Sequence, residues 1–364
     1  MKRWLKYTLY TLLWLGVVAY IIFATFAVRT QRTVQRVDQV KIKIVDSSAV
    51  ANLVTRSMVE KWIKESKIPT LDQPIDSLRL TDLEQYIADN GFVKQVKCFT
   101  TYNGQLHIEI SQLRPTLRIM LDGFNSYITS QGEVFAAPPS SSQYTQVVTG
   151  SYSPLFRAGF TGNIEDVFLA GYEELAAEIK RSEVKNIYPL YAQRMKLREQ
   201  LRAVNSRYTN RRFGERRKVF DERVEELRER NAKERAEITR ALHETDLAIE
   251  KETSKQKVFI DKQKKLEKKY QDFINLITFV NVVENDKFWS SEIVQIVATE
   301  STNSDLRLEL IPRSGEHTIV FGLIEEVEEK LSQIKTFYKE VLPREGWQKY
   351  KVINVEYKGQ IVCK

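Results

Sequence analysis

Three histidines, two cysteines and scattered carboxylates are what this chain offers for catalysis or metal binding. His107 alternates with Leu106, Ile108 and Ile110, which puts its ring on the wet face of a strand. His243 lies in a highly charged stretch and His317 begins a strand; neither has the neighbours of a base or a ligand. Glu300, Asp305 and Glu309 could together meet a cation, but acids at this spacing read more simply as a solvated loop and strand face. Cys98 lies within a strand and Cys363 one residue from the end, in different modules, so two free or buried thiols are expected. No G-x-G-x-x-G, Walker A, H-E-x-x-H or G-x-S-x-G pattern is present. No catalytic residue, metal or cofactor is expected, although distant side chains can still meet in space.

The elements around these residues carry more information. The 364 residues hold 42% hydrophobic side chains and a net charge of +8. Two or three modules suit that length. Too few cysteines are present for a disulfide scaffold. The charge is concentrated: residues 181–270 carry 26 Lys or Arg against 16 Asp or Glu, a balance of +10 that leaves about −2 for the rest. Global basicity is therefore no sign of nucleic-acid binding.

Tyr7 to Val28 is a run of 22 residues without a charge. As a helix it would extend about 33 Å, enough for a bilayer core. Trp4, Tyr7 and Tyr10 sit near one end, as interfacial rings do. Lys2, Arg3 and Lys6 precede the run, and Arg29, Arg32 and Arg36 follow it, so charge leaves the orientation tied; the short tail favours an N-terminus inside. Ala24 and Ala27 keep a cleaved signal peptide open, but the run exceeds the usual apolar core of one.

Residues 37–115 read as strand, helix, helix, strand, turn, strand. Val40, Ile42 and Ile44 alternate. Thr55 caps a helix with Val59, Trp62 and Ile63 on one face, Leu80–Asn90 forms a second, and Asn103-Gly104 turns one strand into the next. Strands follow at Thr116–Leu121, Tyr127–Thr129, Glu133–Phe135 and Val147-Val148, with a Pro/Ser loop at Ala136–Gln143 and a helix between Phe160 and Ile179. Residues 181–270 predict one or two long surface helices, an antiparallel hairpin being one arrangement. Asn231 and Glu234 stand where a clean heptad would be apolar. The cluster Arg211, Arg212, Arg216, Arg217 and Lys218, with Phe213 inside it, fits a solvated face, an anionic lipid or polymer, or nucleic acid. After Phe273–Val283, an apolar helix, strands recur at Ile293, Leu306–Leu310 and His317–Gly322. A helix at Val327–Leu342 and one or two last strands around Lys358-Gly359 close the chain.

Taken in order, Val40–Ile44, the helix around Trp62, Gly91–Val96, Asn103–Ile110, Gln112-Leu113-Arg114-Pro115, Tyr127–Phe135 and Ile353-Asn354-Val355-Glu356-Tyr357 resemble the FtsQ/DivIB family of bacterial cell-division proteins. Asn354 and Glu356 depart from the Asp and Arg of the family's I-D-L-R-Y strand, reversing the charge at Glu356. The resemblance implies an α+β chain: tail 1–6, transmembrane helix 7–28, linker 29–36, POTRA-like domain 37–115, and a mixed β domain at 116–180 and 271–364, interrupted by a charged helical insertion at 181–270. It implies a non-enzymatic divisome scaffold at midcell in the bacterial inner membrane, single-pass, with a cytoplasmic N-terminus and periplasmic bulk. Implied partners are FtsB-like and FtsL-like bitopic proteins, FtsK-like and septal wall synthase components, and membrane lipid, without nucleic acid. Partner binding would fall at Ile353, Val355, Tyr357, Lys358, Gly359 and Gln360, the terminal strand pairing through its backbone. The residues alone leave open an extracytoplasmic wall- or polymer-binding protein and an enzyme with an unrecognised site.

Overall fold

The computed structural model describes residues 3–34, 36–45, 53–136, 143–301 and 304–364. Residues 137–142 of the expected Pro/Ser loop, and Met1 and Lys2 of the tail, lie outside them. Helix α1 (Arg3–Val34) opens the chain. None of its apolar stretch Tyr10–Ala27 is buried inside the protein. A helix apolar on every side and unpacked needs an apolar solvent. The Thr25 hydroxyl satisfies itself by donating to the Ile21 and Ile22 carbonyls at 2.9 and 2.8 Å, as a polar group in lipid must. No Gly or Pro interrupts residues 29–34, and α1 continues through most of the expected linker.

Arg36 then ties the chain to the next unit, donating to the Asp72 carbonyl at 2.9 Å. In that unit β1 (Gln39–Ile44) lies parallel to β3 (Gln105–Gln112), with Val40 opposite Leu106. β2 (Val93–Thr100) pairs antiparallel with β3 on its other side. Helices α2 (Arg56–Glu65) and α3 (Leu80–Ala88) cover one face. Thr55 caps α2 by accepting from the Met58 N–H. Val59, Trp62, Leu83 and Ile87 pack on Leu106, Ile108 and Ile110. Gly104 makes the β2–β3 turn at φ +76°; a Cβ there would meet the Arg36 carbonyl at 2.8 Å.

The second sheet has ten strands: β4 (Pro115–Leu121), β5 (Phe124–Thr129), β6 (Glu133–Ala136), β7 (Gln146–Gly150), β8 (Gly162–Asn163), β9 (Ile293–Glu300), β10 (Leu306–Pro312), β11 (Thr318–Leu323), β12 (Val352–Asn354) and β13 (Val362–Cys363). Their spatial order is β13-β12-β11-β10-β9-β7-β4-β5-β6-β8. The two halves meet where β7 runs parallel to β9, Val148 beside Ile296. Leu53, Phe92, Leu113, Tyr127 and Phe135 form a small apolar cluster between the two sheets.

Between β8 and β9 the chain makes a helical hairpin. Asn163 caps α4 (Ile164–Ser182) by accepting from the Glu165 N–H. A π turn at Glu183–Ile187 joins it to α5 (Tyr188–Asn205). Pro189 cannot donate to the Lys185 carbonyl and crowds it, so the wider turn absorbs the mismatch. α6 (Arg217–Asn285) returns antiparallel over 69 residues. The boundary expected at 270/271 therefore falls inside one continuous helix. Its last turns carry Phe273, Leu276, Phe279, Val280 and Val283 into the core of the large sheet, all fully buried. Asn231 and Glu234 do sit on the seam: Asn231 is buried, and Glu234 pairs with Arg207. α7 (Lys287–Glu292), α8 (Val327–Glu340) and α9 (Leu342–Glu345) complete the domain.

Candidate functional site

The residues singled out at the chain end divide into two groups. After α8 and α9, β12 enters parallel to β11, Ile319 beside Ile353. The chain then turns at Tyr357–Gln360 and returns as β13, with Cys363 opposite Ile353. β12 is therefore paired on both sides and is not the edge that the sequence suggested. Ile353 and Val355 are fully buried, and the Val355 N–H is taken by the Val320 carbonyl at 3.0 Å. They form the floor of the site. Tyr357, by contrast, is 58% exposed, on a turn closed by Gln360 N–H donating to the Tyr357 carbonyl at 3.2 Å. Lys358 and Gly359 complete the turn, and Lys358 pairs with Glu326 at the start of α8.

The edge itself is β13. Lys364 and Val352 exchange backbone bonds, N–H to carbonyl at 3.0 and 3.1 Å. Cys363 lies between such pairs, so its own N–H and carbonyl face outward. Ile361, Val362 and Cys363 were missed as edge residues. The signal was the short apolar run after Gly359, which had to be the outer member of any hairpin made there. Burial raises the Cys363 thiol's pKa.

Both departures from the family pattern have local reasons. The Asn354 side-chain oxygen accepts from the Glu356 N–H at 2.8 Å, a turn that Asn and Asp form alike. Glu356 pairs with Arg307 on β10, so the reversed charge meets an opposite one. Gly322 at φ +75° makes this possible, since a Cβ there would lie 2.7 Å from Glu356 Cγ. Beneath the turn, Lys330 donates to the Phe321 and Leu323 carbonyls at 3.2 and 3.0 Å, and burial lowers its pKa.

Nothing comparable surrounds the other candidates. Asp305 pairs with Lys268, and Glu300 with Lys269 at 3.7 Å. Two of the three acids considered at Glu300, Asp305 and Glu309 are thus each paired with a lysine, and no metal-holding cluster occurs among the described residues. His107 stacks on Phe99 at 5.1 Å. His317 is buried, its Nε2 2.5 Å from the Tyr338 hydroxyl, and desolvation lowers its pKa. Cys98 and Cys363 are both free; burial, then Glu84, pushes the Cys98 thiol up to about 12.

Residues 243–364 match the family model described as FtsQ/DivIB, C-terminal related. Residues 35–111 match a POTRA-like domain. No curated protein matches. The first match begins inside α6, so the last 43 of the helix's 69 residues belong to the matched region. Residues 112–242 lie outside both matches.

Proposed function

This chain belongs to the FtsQ/DivIB family, with a POTRA-like domain and an FtsQ-related C-terminal domain, and from that premise we propose that its β13 edge and the Tyr357–Gln360 turn receive a strand of a small bitopic division protein. Members of this family are non-catalytic scaffolds of the division machinery that bind small bitopic partners. The chain is accordingly a non-enzymatic, single-pass inner-membrane protein, with α1 as its anchor and its bulk in the periplasm.

The observation that carries the proposal is the outward-facing backbone of Cys363 on β13, together with the exposed ring of Tyr357 on the turn that leads into that strand. Unpaired N–H and carbonyl groups on a sheet edge accept an added strand, and a neighbouring aromatic supplies its packed anchor. Lys358, Gly359 and Gln360 line the approach, while Ile353 and Val355 support it from below. In this reading the occupants are FtsB-like and FtsL-like proteins at midcell. FtsK-like and septal wall synthase components engage the assembly from there. In the same reading residues 37–115 are the POTRA-like unit, and 116–180 with 271–364 the β domain.

Two variants test the edge. Cys363→Pro removes an outward N–H without touching the bonds to β12, and Tyr357→Ala removes the ring. Each is expected to cost about 2 kcal/mol or more of partner affinity by calorimetry. The thermal midpoint should move little in Tyr357→Ala, whose ring is exposed; Cys363→Pro also removes a half-buried thiol packed against the core, so its affinity is read at a temperature well below its own melt. Unchanged affinity in both variants rejects the edge as the binding site.

A further inference from the structure

The far end of the helical hairpin is built unlike the rest of it. Arg207 to Lys218 contains six cations, Arg207, Arg211, Arg212, Arg216, Arg217 and Lys218, against one acid, Glu215. That acid is already engaged: Arg223 donates to its two oxygens at 3.1 and 2.7 Å. Arg207 pairs with Glu234. Among the described residues, no carboxylate ion-pairs with Arg216, Arg217 or Lys218.

The loop is organised. Arg223 also donates to Thr209 Oγ1 at 2.9 Å and to the Asn210 carbonyl at 3.1 Å. The Glu215 N–H donates to the Arg212 carbonyl at 3.1 Å, and the Arg212 N–H donates to the Glu215 carboxylate at 2.9 Å. These bonds close a turn whose apex is Phe213-Gly214, with Gly214 at φ +79°, the left-handed conformation a turn of this kind requires. Phe213 is thereby held clear of the protein, at 110% of its reference exposure, and Tyr208 is 82% exposed.

We propose that this tip docks on the surface of a bilayer containing anionic lipid, with Phe213 and Tyr208 entering the headgroup region and the arginines meeting phosphates. Charge complementarity gives the attraction, and interfacial aromatic rings gain where an apolar layer lies beneath a polar one. A polysaccharide or other soluble polyanion would satisfy the arginines but gives Phe213 no apolar medium. The chain already carries α1, which holds every other part of it near a membrane and raises the tip's local concentration there. The arm is long: Ile164 to Asn205 is 42 helical residues, about 60 Å, or two small-domain diameters.

The test uses the full chain in nanodiscs of phosphatidylcholine alone and in discs rich in phosphatidylglycerol. Phe213→p-benzoylphenylalanine is photolysed and the adducts are weighed. A second probe at the exposed position Val258, toward the base of the arm, sets the background. The expected result is a lipid adduct at 213 in the anionic discs, at least about fivefold above the neutral ones, the effect of a single cation at a charged surface. Combining Arg216→Gln, Arg217→Gln and Lys218→Gln should remove that excess, and these exposed positions leave the core untouched. Lipid adducts no more frequent at 213 than at 258, equal yields in both disc types, or adducts confined to protein would each overturn the proposal.

Discussion

Between Phe273 and Val283, α6 buries six apolar side chains against the large sheet. Between Arg217 and Leu266 the same helix buries three residues, of which two, Asn231 and Thr245, are polar and one is Ile249. The inner stretch is held by tertiary burial. The outer stretch is held by a seam against α5, by ion pairs such as Arg194–Asp246 at 3.4 Å, and by the helix preference of its Glu, Lys and Arg residues. Continuity of backbone therefore says little about uniformity of stabilisation. A helix can belong to a core at one end and be a marginally supported arm at the other.

The comparison breaks most readily at its inner end. Phe279 is fully buried and meets Phe321 edge-on at 4.9 Å. Phe279→Ala is expected to cost about 3–5 kcal/mol in the main denaturant transition; a loss well below that would mean the inner stretch is not core. The outer arm should respond in the opposite direction to an apolar replacement. Asn231 is 4% exposed and its Oδ1 has no hydrogen-bond partner. Removing an unsatisfied buried amide typically gains about 1–2 kcal/mol. Asn231→Leu should therefore raise amide-exchange protection in α5 and the outer part of α6, and leave the main transition where it is.

Excision sharpens the contrast further. Asn186 and Glu252 stand level across the hairpin, bonded at 3.1 Å. Replacing residues 188–250 with a short turn should shift the main transition by less than about 1 kcal/mol, a loop-closure effect. Removing 181–270 instead takes away Tyr270, stacked on Phe168 at 4.2 Å, and the Lys268–Asp305 pair, and should destabilise measurably more. Equal melts for the two deletions would put the whole segment outside the core.

The smallest effect concerns acid. Burial lowers the His317 pKa from the ordinary 6.5. The unfolded chain then binds the proton first, so stability should fall as pH drops below about 6.5 and level off below the folded value. Asp272 and Glu284, raised by burial, act in the opposite sense, favouring the fold as they protonate. The informative quantity is therefore the difference between the parent and His317→Gln: the variant should lose less stability on acidification, in the sheet transition and not in the arm. An unchanged slope would show that His317 takes up no extra proton on unfolding.

Much of this was legible from local pattern. Leu106, Ile108 and Ile110, and likewise Leu306, Leu308 and Leu310, alternate in sequence and are buried in the structure. Asn103-Gly104 marked its turn. What escaped depends on distant partners. Nothing near Val352 says that β11 will lie on one side and β13 on the other, which decides whether Ile353 faces a partner or the core. Nothing near Glu356 announces Arg307, 49 residues earlier. The continuity of α6 was obscured because charge density changes near residue 270 while helix preference does not. The β13 edge rests on two residues, too short a stretch to show a period.

The parallel pairing of β7 with β9 also bears on how the protein comes into being. Gly150 and Ile293 bracket roughly 140 residues of hairpin and connection. At roughly 5–20 residues per second of synthesis, β7 is made about 7–30 seconds before its neighbour exists. Throughout that interval the Val147–Gly150 backbone is an open template, with Val148 uncovered beside it. The hairpin between them can close from its tip, where Arg223 holds Glu215, and pair inward toward its base, bringing Phe168 beside Tyr270 and the two half-sheets into register. In biogenesis the charged arm is thus a splint: it shortens the search that the two halves of the sheet must complete, and the time their edges stay available to the wrong strand.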